Sequence, residues 1–173
     1  MTCFWDETLK GLGQFPEFTE LSEYNIISRN GGKNRKNYID FCKKNCNILL
    51  TKYKNVIWEG FEQNKRDKAE DTGINLNDSS IRKQEIIENH IPRIKKLCSK
   101  DEIDGYNCSP CDSFLLFLCC YFEINIHYKS KNWNNQPINV IYLYNHPEKG
   151  YDNNKALFFS TSKSHFSYVS YVK

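Results

Sequence analysis

Apolar residues recur at helical spacing in the first two-thirds of this chain. Phe4, Thr8 and Leu12 share one face of a short helix that would begin at Cys3, because residues four apart lie above one another on an α-helix. The same period predicts three further helices. The predicted helices cover residues 3–12, 34–46, 79–98 and 114–121. Asp112 or Ser113, the short polar residues just before the last apolar run, is expected to cap it.

From Glu123 onward the period changes from helical to alternating. Ile124, Ile126 and Tyr128 alternate with polar neighbours, which is the pattern of a half-buried strand. Turn residues separate this run from three more β-rich segments. The predicted strands cover residues 124–128, 138–144, 157–160 and 165–172. We therefore expect an α+β fold in which helices pack on a small, antiparallel-rich sheet.

Length and composition indicate one soluble domain over residues 1–173. Twenty-four basic and 21 acidic residues give a net charge of +3, which argues against a dedicated nucleic-acid-binding protein. Basic clusters at 33–36 and 93–96 are interpreted as solvated helix faces. The first residues lack the pattern of a signal peptide, so we expect a cytoplasmic protein. Its eight cysteines are then expected to be reduced and mostly buried.

Two residues at opposite ends of the chain could act together as a nucleophile and its base. Cys3 begins the first predicted helix, where the free N–H groups and the helix dipole stabilise a thiolate. His165 begins the last predicted strand, between Ser164 and Phe166. A thiol nucleophile needs a base within hydrogen-bond reach, and the two can be distant in sequence. The pair predicts a cysteine-dependent enzyme, whereas Asp6 is expected to be a partner of the helix dipole.

A zinc site is a weaker alternative. Cys108 and Cys111 have the spacing of zinc ligands. A second pair would have to come from Cys119, Cys120 or His127, and a second Cys-x-x-Cys motif is missing from the sequence.

Three blocks of the sequence, in their order, resemble the cysteine proteases of the OTU (ovarian tumour) family. The first block is similar to the helix that carries the family's nucleophile. The second is similar to a helix that leads into a central strand. The third is similar to two strands, the last of which carries the base, followed by an aromatic residue. The blocks are CFWDETLKGL at 3–12, CDSFLLFLCCYFEINIHY at 111–128, and INVIYLYN at 138–145 with ALFFSTSKSHFSYV at 156–169.

This resemblance implies a papain-like fold and a deubiquitinase that works as a monomer, without a metal or an organic cofactor. Cys3 would attack the isopeptide carbonyl at the C-terminus of ubiquitin or of a ubiquitin-like protein, and His165 would be the base. The backbone N–H groups of Thr2 and Cys3 would line the oxyanion hole. Ser167 occupies the position where the family often places the Asp or Asn that orients the base. A compact viral member, acting in the host cytoplasm, would fit such a reduced site.

Two alternatives stay open at this point. The sequence Asp104-Gly105-Tyr106-Asn107-Cys108 resembles the family's Asp-Gly-Asn-Cys with an insertion, which would make Cys108 the nucleophile. The chain could also be a non-catalytic ubiquitin-binding or host-interaction module with the same fold. With the fold that the resemblance implies, residues 106–110 and the loop 146–154 would flank the cleft. A nucleic-acid-associated protein that uses the basic helices is a third, weaker class.

Overall fold

A computed structural model describes residues 3–59, 86–97, 112–131, 137–150, 155–162 and 165–173. Short helical turns separate the first strand from the longer helices. The helices are α1 (Cys3–Leu12), α2 (Glu20–Glu23), α3 (Arg35–Asn45), α4 (Leu49–Lys52), α5 (Ile91–Lys96) and α6 (Ser113–Phe122), with a π-helical turn at Ile86–His90. The strands are β1 (Val56–Glu59), β2 (Asn125–Lys131), β3 (Pro137–Tyr144), β4 (Ala156–Ser162) and β5 (His165–Val172).

Two of the longer helices begin at a short polar side chain that caps them. The predicted helix over 3–12 matches α1. Asn34 caps α3 by accepting a hydrogen bond from the backbone N–H of Asn37, and Asp112 caps α6 by accepting one from the N–H of Phe114. The predicted helix over 79–98 is described only from residue 86, where a π-helical turn gives way to α5 next to Pro92. A proline fits the first turn of a helix because its missing N–H has no partner there.

The five strands form one mixed sheet in the order β1-β3-β2-β4-β5. Three neighbouring pairs are antiparallel, as the sequence predicts, but β2 and β4 are parallel. The parallel pair arises because β3 and β4 lie on opposite sides of β2, and β4 runs against β3. The mixed α/β content agrees with the expected α+β class, while β1 is a strand that the sequence pattern does not predict.

A single buried cluster joins the helices to one face of the sheet. Its centre is aromatic: the ring of Trp5 lies edge-on to Phe114 at 4.8 Å and to Tyr38 at 5.9 Å. α6 is buried along almost its whole length, so it lies between the other helices and the sheet. Among the described residues, none of the helices combines the length and apolarity needed to cross a membrane.

Candidate active site

α1 is attached to β5 at three points along its length. Near its start, the Phe4 and Phe166 rings lie 5.0 Å apart. One turn later, the carboxylate of Glu7 accepts a 2.9 Å hydrogen bond from the backbone N–H of Tyr168. Near its end, a Cβ at Gly11 would lie 3.1 Å from the ring of Tyr168, so a larger residue would crowd this close approach. The order of these contacts shows that α1 and β5 run in the same direction.

The contacts of α1 direct Cys3 toward β5. Cys3, Glu7 and Gly11 are spaced four residues apart and therefore share one face of the helix. Glu7 and Gly11 both lie against Tyr168. From Glu7 back to Cys3 the helix rises about 6 Å, and two strand residues span about 7 Å. Cys3 therefore lies level with Phe166, near the first residues of β5.

His165 and Ser167 are the two remaining predicted site residues in the described part of β5. His165 is exposed and Ser167 is half-buried, and they pair with Ser162 and Ser160 of β4. Because side chains alternate along a strand, His165 and Ser167 share the face opposite to Phe166. Within the described residues, no hydrogen bond joins Cys3 to His165 or His165 to Ser167.

Cys3 differs from the other described cysteines in its exposure. Cys3 is half-buried, whereas Cys42, Cys46, Cys119 and Cys120 are buried. Burial raises the pKa of all four buried thiols, that of Cys120 to about 12. A thiol is a nucleophile only as its thiolate, so these four are inert at neutral pH. Cys108, the alternative nucleophile, lies outside the described residues.

The start of α1 also holds charged groups that bear on the predicted role of Asp6. Its carboxylate accepts hydrogen bonds from Arg35, at 3.1 Å from Nε and 3.3 Å from Nη2, and Lys33 donates to its backbone carbonyl. The acidic residue in the first turn faces the positive end of the helix dipole, and the guanidinium ties α1 to α3. Thr2, the other expected contributor to the oxyanion hole, lies outside the described residues.

A buried polar pair at the start of α6 is not apparent from the sequence. The ring Nδ1 of His90 lies 2.8 Å from the hydroxyl of Ser113, and the two residues are only 7% and 2% exposed. Beside this pair, the backbone N–H of Asp112 donates a 3.1 Å hydrogen bond to the hydroxyl oxygen of Tyr142. Such buried groups need partners because an unpaired one costs about 1–3 kcal/mol. The 23-residue separation of His90 and Ser113 leaves no local sequence signal.

The other two histidines have structural contacts of their own. His127 stacks on Phe158 with ring centroids 4.5 Å apart and lies on the face of β2 opposite to its buried neighbours, as the alternation predicts. His146 Nε2 lies 3.3 Å from a carboxylate oxygen of Glu123, and its Nδ1 accepts a hydrogen bond from the backbone N–H of Glu148.

No group of three or more metal-ligating side chains comes together in the described ranges. Cys119 and Cys120 lie in the buried helix α6, and the predicted zinc ligands Cys108 and Cys111 lie outside these ranges. The zinc hypothesis therefore has no described ligand set to support it.

Comparisons of the chain with models of protein families, with curated proteins and with solved structures gave no match.

Proposed function

We propose that this chain is a cysteine protease of the OTU type, with a papain-like arrangement of helix and sheet, that hydrolyses isopeptide bonds at the C-terminus of ubiquitin or a ubiquitin-like protein. One observation carries the proposal: the helix that begins at Cys3 runs along the strand that begins at His165, with the two starts close to one another. This chemistry needs a thiol and a base within hydrogen-bond reach, and the proximity of the two element starts supports the proposal that these two residues supply them.

The reaction follows from the chemistry of these groups. His165 takes the proton of the Cys3 thiol, and the sulfur attacks the isopeptide carbonyl carbon. Backbone N–H groups of Thr2 and Cys3 donate to the oxyanion of the tetrahedral intermediate. The imidazolium then protonates the leaving lysine amine as the C–N bond breaks. Water, deprotonated by the imidazole, hydrolyses the thioester and restores the thiol.

The proposed step requires His165 to turn around the edge of the sheet. β5 is the last strand in the sheet order, so its outer edge is not covered by another described strand. From this edge a histidine ring at the first strand residue can swing toward the helix face that carries Cys3. Ser167 lies on the same face of β5 as His165, where its hydroxyl could accept a hydrogen bond from the imidazole. We expect substrate binding to draw the two catalytic groups together, since catalytic hydrogen bonds often form only in the complex.

A second candidate function is a non-catalytic ubiquitin-binding module with the same fold. The observation that favours it is the lack of a hydrogen bond between Cys3 and His165 in the described part of the chain, with the histidine on the opposite face of β5 from Phe166. A serine in place of a carboxylate also gives less stabilisation to an imidazolium.

Ubiquitin with a thiol-reactive group at its C-terminus distinguishes these possibilities. We expect a covalent adduct with the wild type and with Cys120→Ala, a buried-thiol control, and none with Cys3→Ala. We also expect His165→Ala to slow adduct formation by two or more orders of magnitude, as the removal of a general base does.

Other outcomes have distinct meanings. Loss of the adduct only in Cys108→Ala would support the proposed enzyme activity but assign the nucleophile to Cys108 instead of Cys3. No adduct in any folded sample, together with measurable binding of unmodified ubiquitin, would favour the binding module. If the folded protein forms no adduct and also does not bind ubiquitin, both proposals are refuted.

A further inference from the structure

A groove on the helical side of the molecule lies between α4, the π-helical turn and α5. Its volume is about 540 Å³, within the range of roughly 300–1,000 Å³ that is usual for binding pockets. The groove belongs to elements other than α1 and β5, so it is separate from the candidate active site. Its lining includes Leu50, Ile87, Ile91, Pro92, Lys95 and Lys96.

The floor of the groove is aliphatic and partly open to solvent. Ile87 is 48% exposed, and Leu50 and Pro92 are half-buried. An exposed isoleucine beside other aliphatic side chains forms a continuous apolar surface, which favours the burial of apolar groups from a partner.

The rim of the groove is basic. Lys95 and Lys96 are exposed, and within the described residues neither forms an ion pair. Helix α5, which lines the groove, carries three basic side chains, Arg93, Lys95 and Lys96, and no acidic one. The other basic cluster, at 33–36, lies near the start of α3, where Lys33 and Arg35 bond to Asp6 of α1, so the positive charge of the rim comes from α5.

We propose that this groove binds an acidic amphipathic helix of a partner protein. Aliphatic side chains on one face of that helix would enter the groove over Ile87 and Leu50, and flanking Asp or Glu side chains would pair with Lys95 and Lys96. The lining favours a peptide over nucleic acid, because its apolar members are aliphatic, whereas single-stranded nucleic acids bind mainly by stacking on aromatic side chains.

The test is fluorescence anisotropy with a labelled synthetic helix. Leucines at helical spacing form one face of this peptide, and glutamates flank that face. We expect it to bind the full chain, and we expect binding to weaken with added salt because the rim charges are exposed. Two control peptides have lysines in place of the glutamates or serines in place of the leucines. We expect each to bind about tenfold more weakly or worse, which corresponds to losing one good contact.

Variants of the protein locate the site. Ile87→Glu and the double variant Lys95→Glu, Lys96→Glu are expected to weaken binding tenfold or more, whereas Lys129→Glu, an exposed lysine on β2, should leave it unchanged. Circular dichroism verifies that each variant is folded. Cys3→Ala should bind the helix like the wild type, so a failure of the proposed protease activity does not affect this test.

Several results would overturn the proposal. One is that the folded wild type does not bind the acidic helix. Another is that the lysine peptide binds as tightly as the acidic one. A third is that Ile87→Glu binds the acidic helix as tightly as the wild type does. Tight binding of single-stranded RNA or of anionic vesicles at the same lysines, with none of the acidic helix, would assign the surface to those partners instead.

Discussion

The hydrogen bond between Glu7 and Tyr168 offers the sharpest test of how α1 is held on the sheet. Glu7→Ala removes the acceptor of a 2.9 Å bond from the backbone N–H. A hydrogen bond to a charged group makes a net contribution of about 1.5–3 kcal/mol to stability. Because the Glu7 side chain is 26% exposed to solvent, we place its loss near the lower limit of that range. Loss of the exposed pair with Lys10, at 3.7 Å, adds about 0.3 kcal/mol. The higher helix propensity of alanine returns a similar amount. We therefore expect a destabilisation of about 1.5 kcal/mol.

Urea unfolding followed by circular dichroism measures this loss. With an m-value of about 2.5 kcal/mol per molar urea, the midpoint should fall by about 0.6 M. Glu23→Ala is the matched control, because Glu23 is an exposed acidic helix residue without an ion pair in the described part of the chain. Glu7→Gln keeps an acceptor and should lose about half as much. A midpoint for Glu7→Ala equal to that of Glu23→Ala would refute the argument that this bond fastens the helix.

Three more predictions concern the thiols, the charged cluster near α6 and the helix–sheet approach. Mass spectrometry after brief alkylation of the native protein should find Cys3 modified well before Cys120, and equal rates would contradict the burial pattern. Burial raises the pKa of Glu123, but the hydrogen bond and charge of Lys52 and the charge of His146 lower it by more, so the pKa lies below its ordinary value. Its stabilising effect is therefore complete above the ordinary value of 4.5 and is lost as the pH falls through the lowered pKa. Glu123→Gln should accordingly reduce the loss of stability measured between about pH 4.5 and pH 2, and an unchanged pH profile would refute this. Gly11→Ala should lower the thermal midpoint, because overpacking costs about 1–3 kcal/mol and the gain in helix propensity returns about 1 kcal/mol; a higher midpoint would show that the sheet side chains move aside.

The helices and strands were predictable where the signal is local. The alternation after Glu123 and the β-rich runs that follow it predict the four C-terminal strands, and the apolar spacing predicts α1, α3 and α6. Capping and amphipathic spacing act over a few residues, so they can be recognised without knowing the fold. β1 was not predicted because its four residues, Val56–Glu59, are too few to show a period.

The candidate site was predictable only in part. The placement of Cys3 at a helix start and of His165 at a strand start follows from the local pattern. The sequence did not determine that Glu7 fixes the helix against β5, nor that the helices cover the Phe166 face of β5 and leave the His165 face outside. The first depends on a hydrogen bond across 161 residues. The second depends on how the helices pack on the sheet.

The sequence by itself determined most of the longer helices and strands, which of their faces are apolar, and a pair of residues that could serve as nucleophile and base. Only the tertiary structure decided the parallel pairing of β2 with β4, the buried contact between His90 and Ser113, and the groove that brings Leu50 of α4 beside Ile87 and the lysines of α5. The reason is physical: local periodicity records which face of an element must avoid water, whereas the choice of the neighbour that covers that face depends on the packing of the whole core.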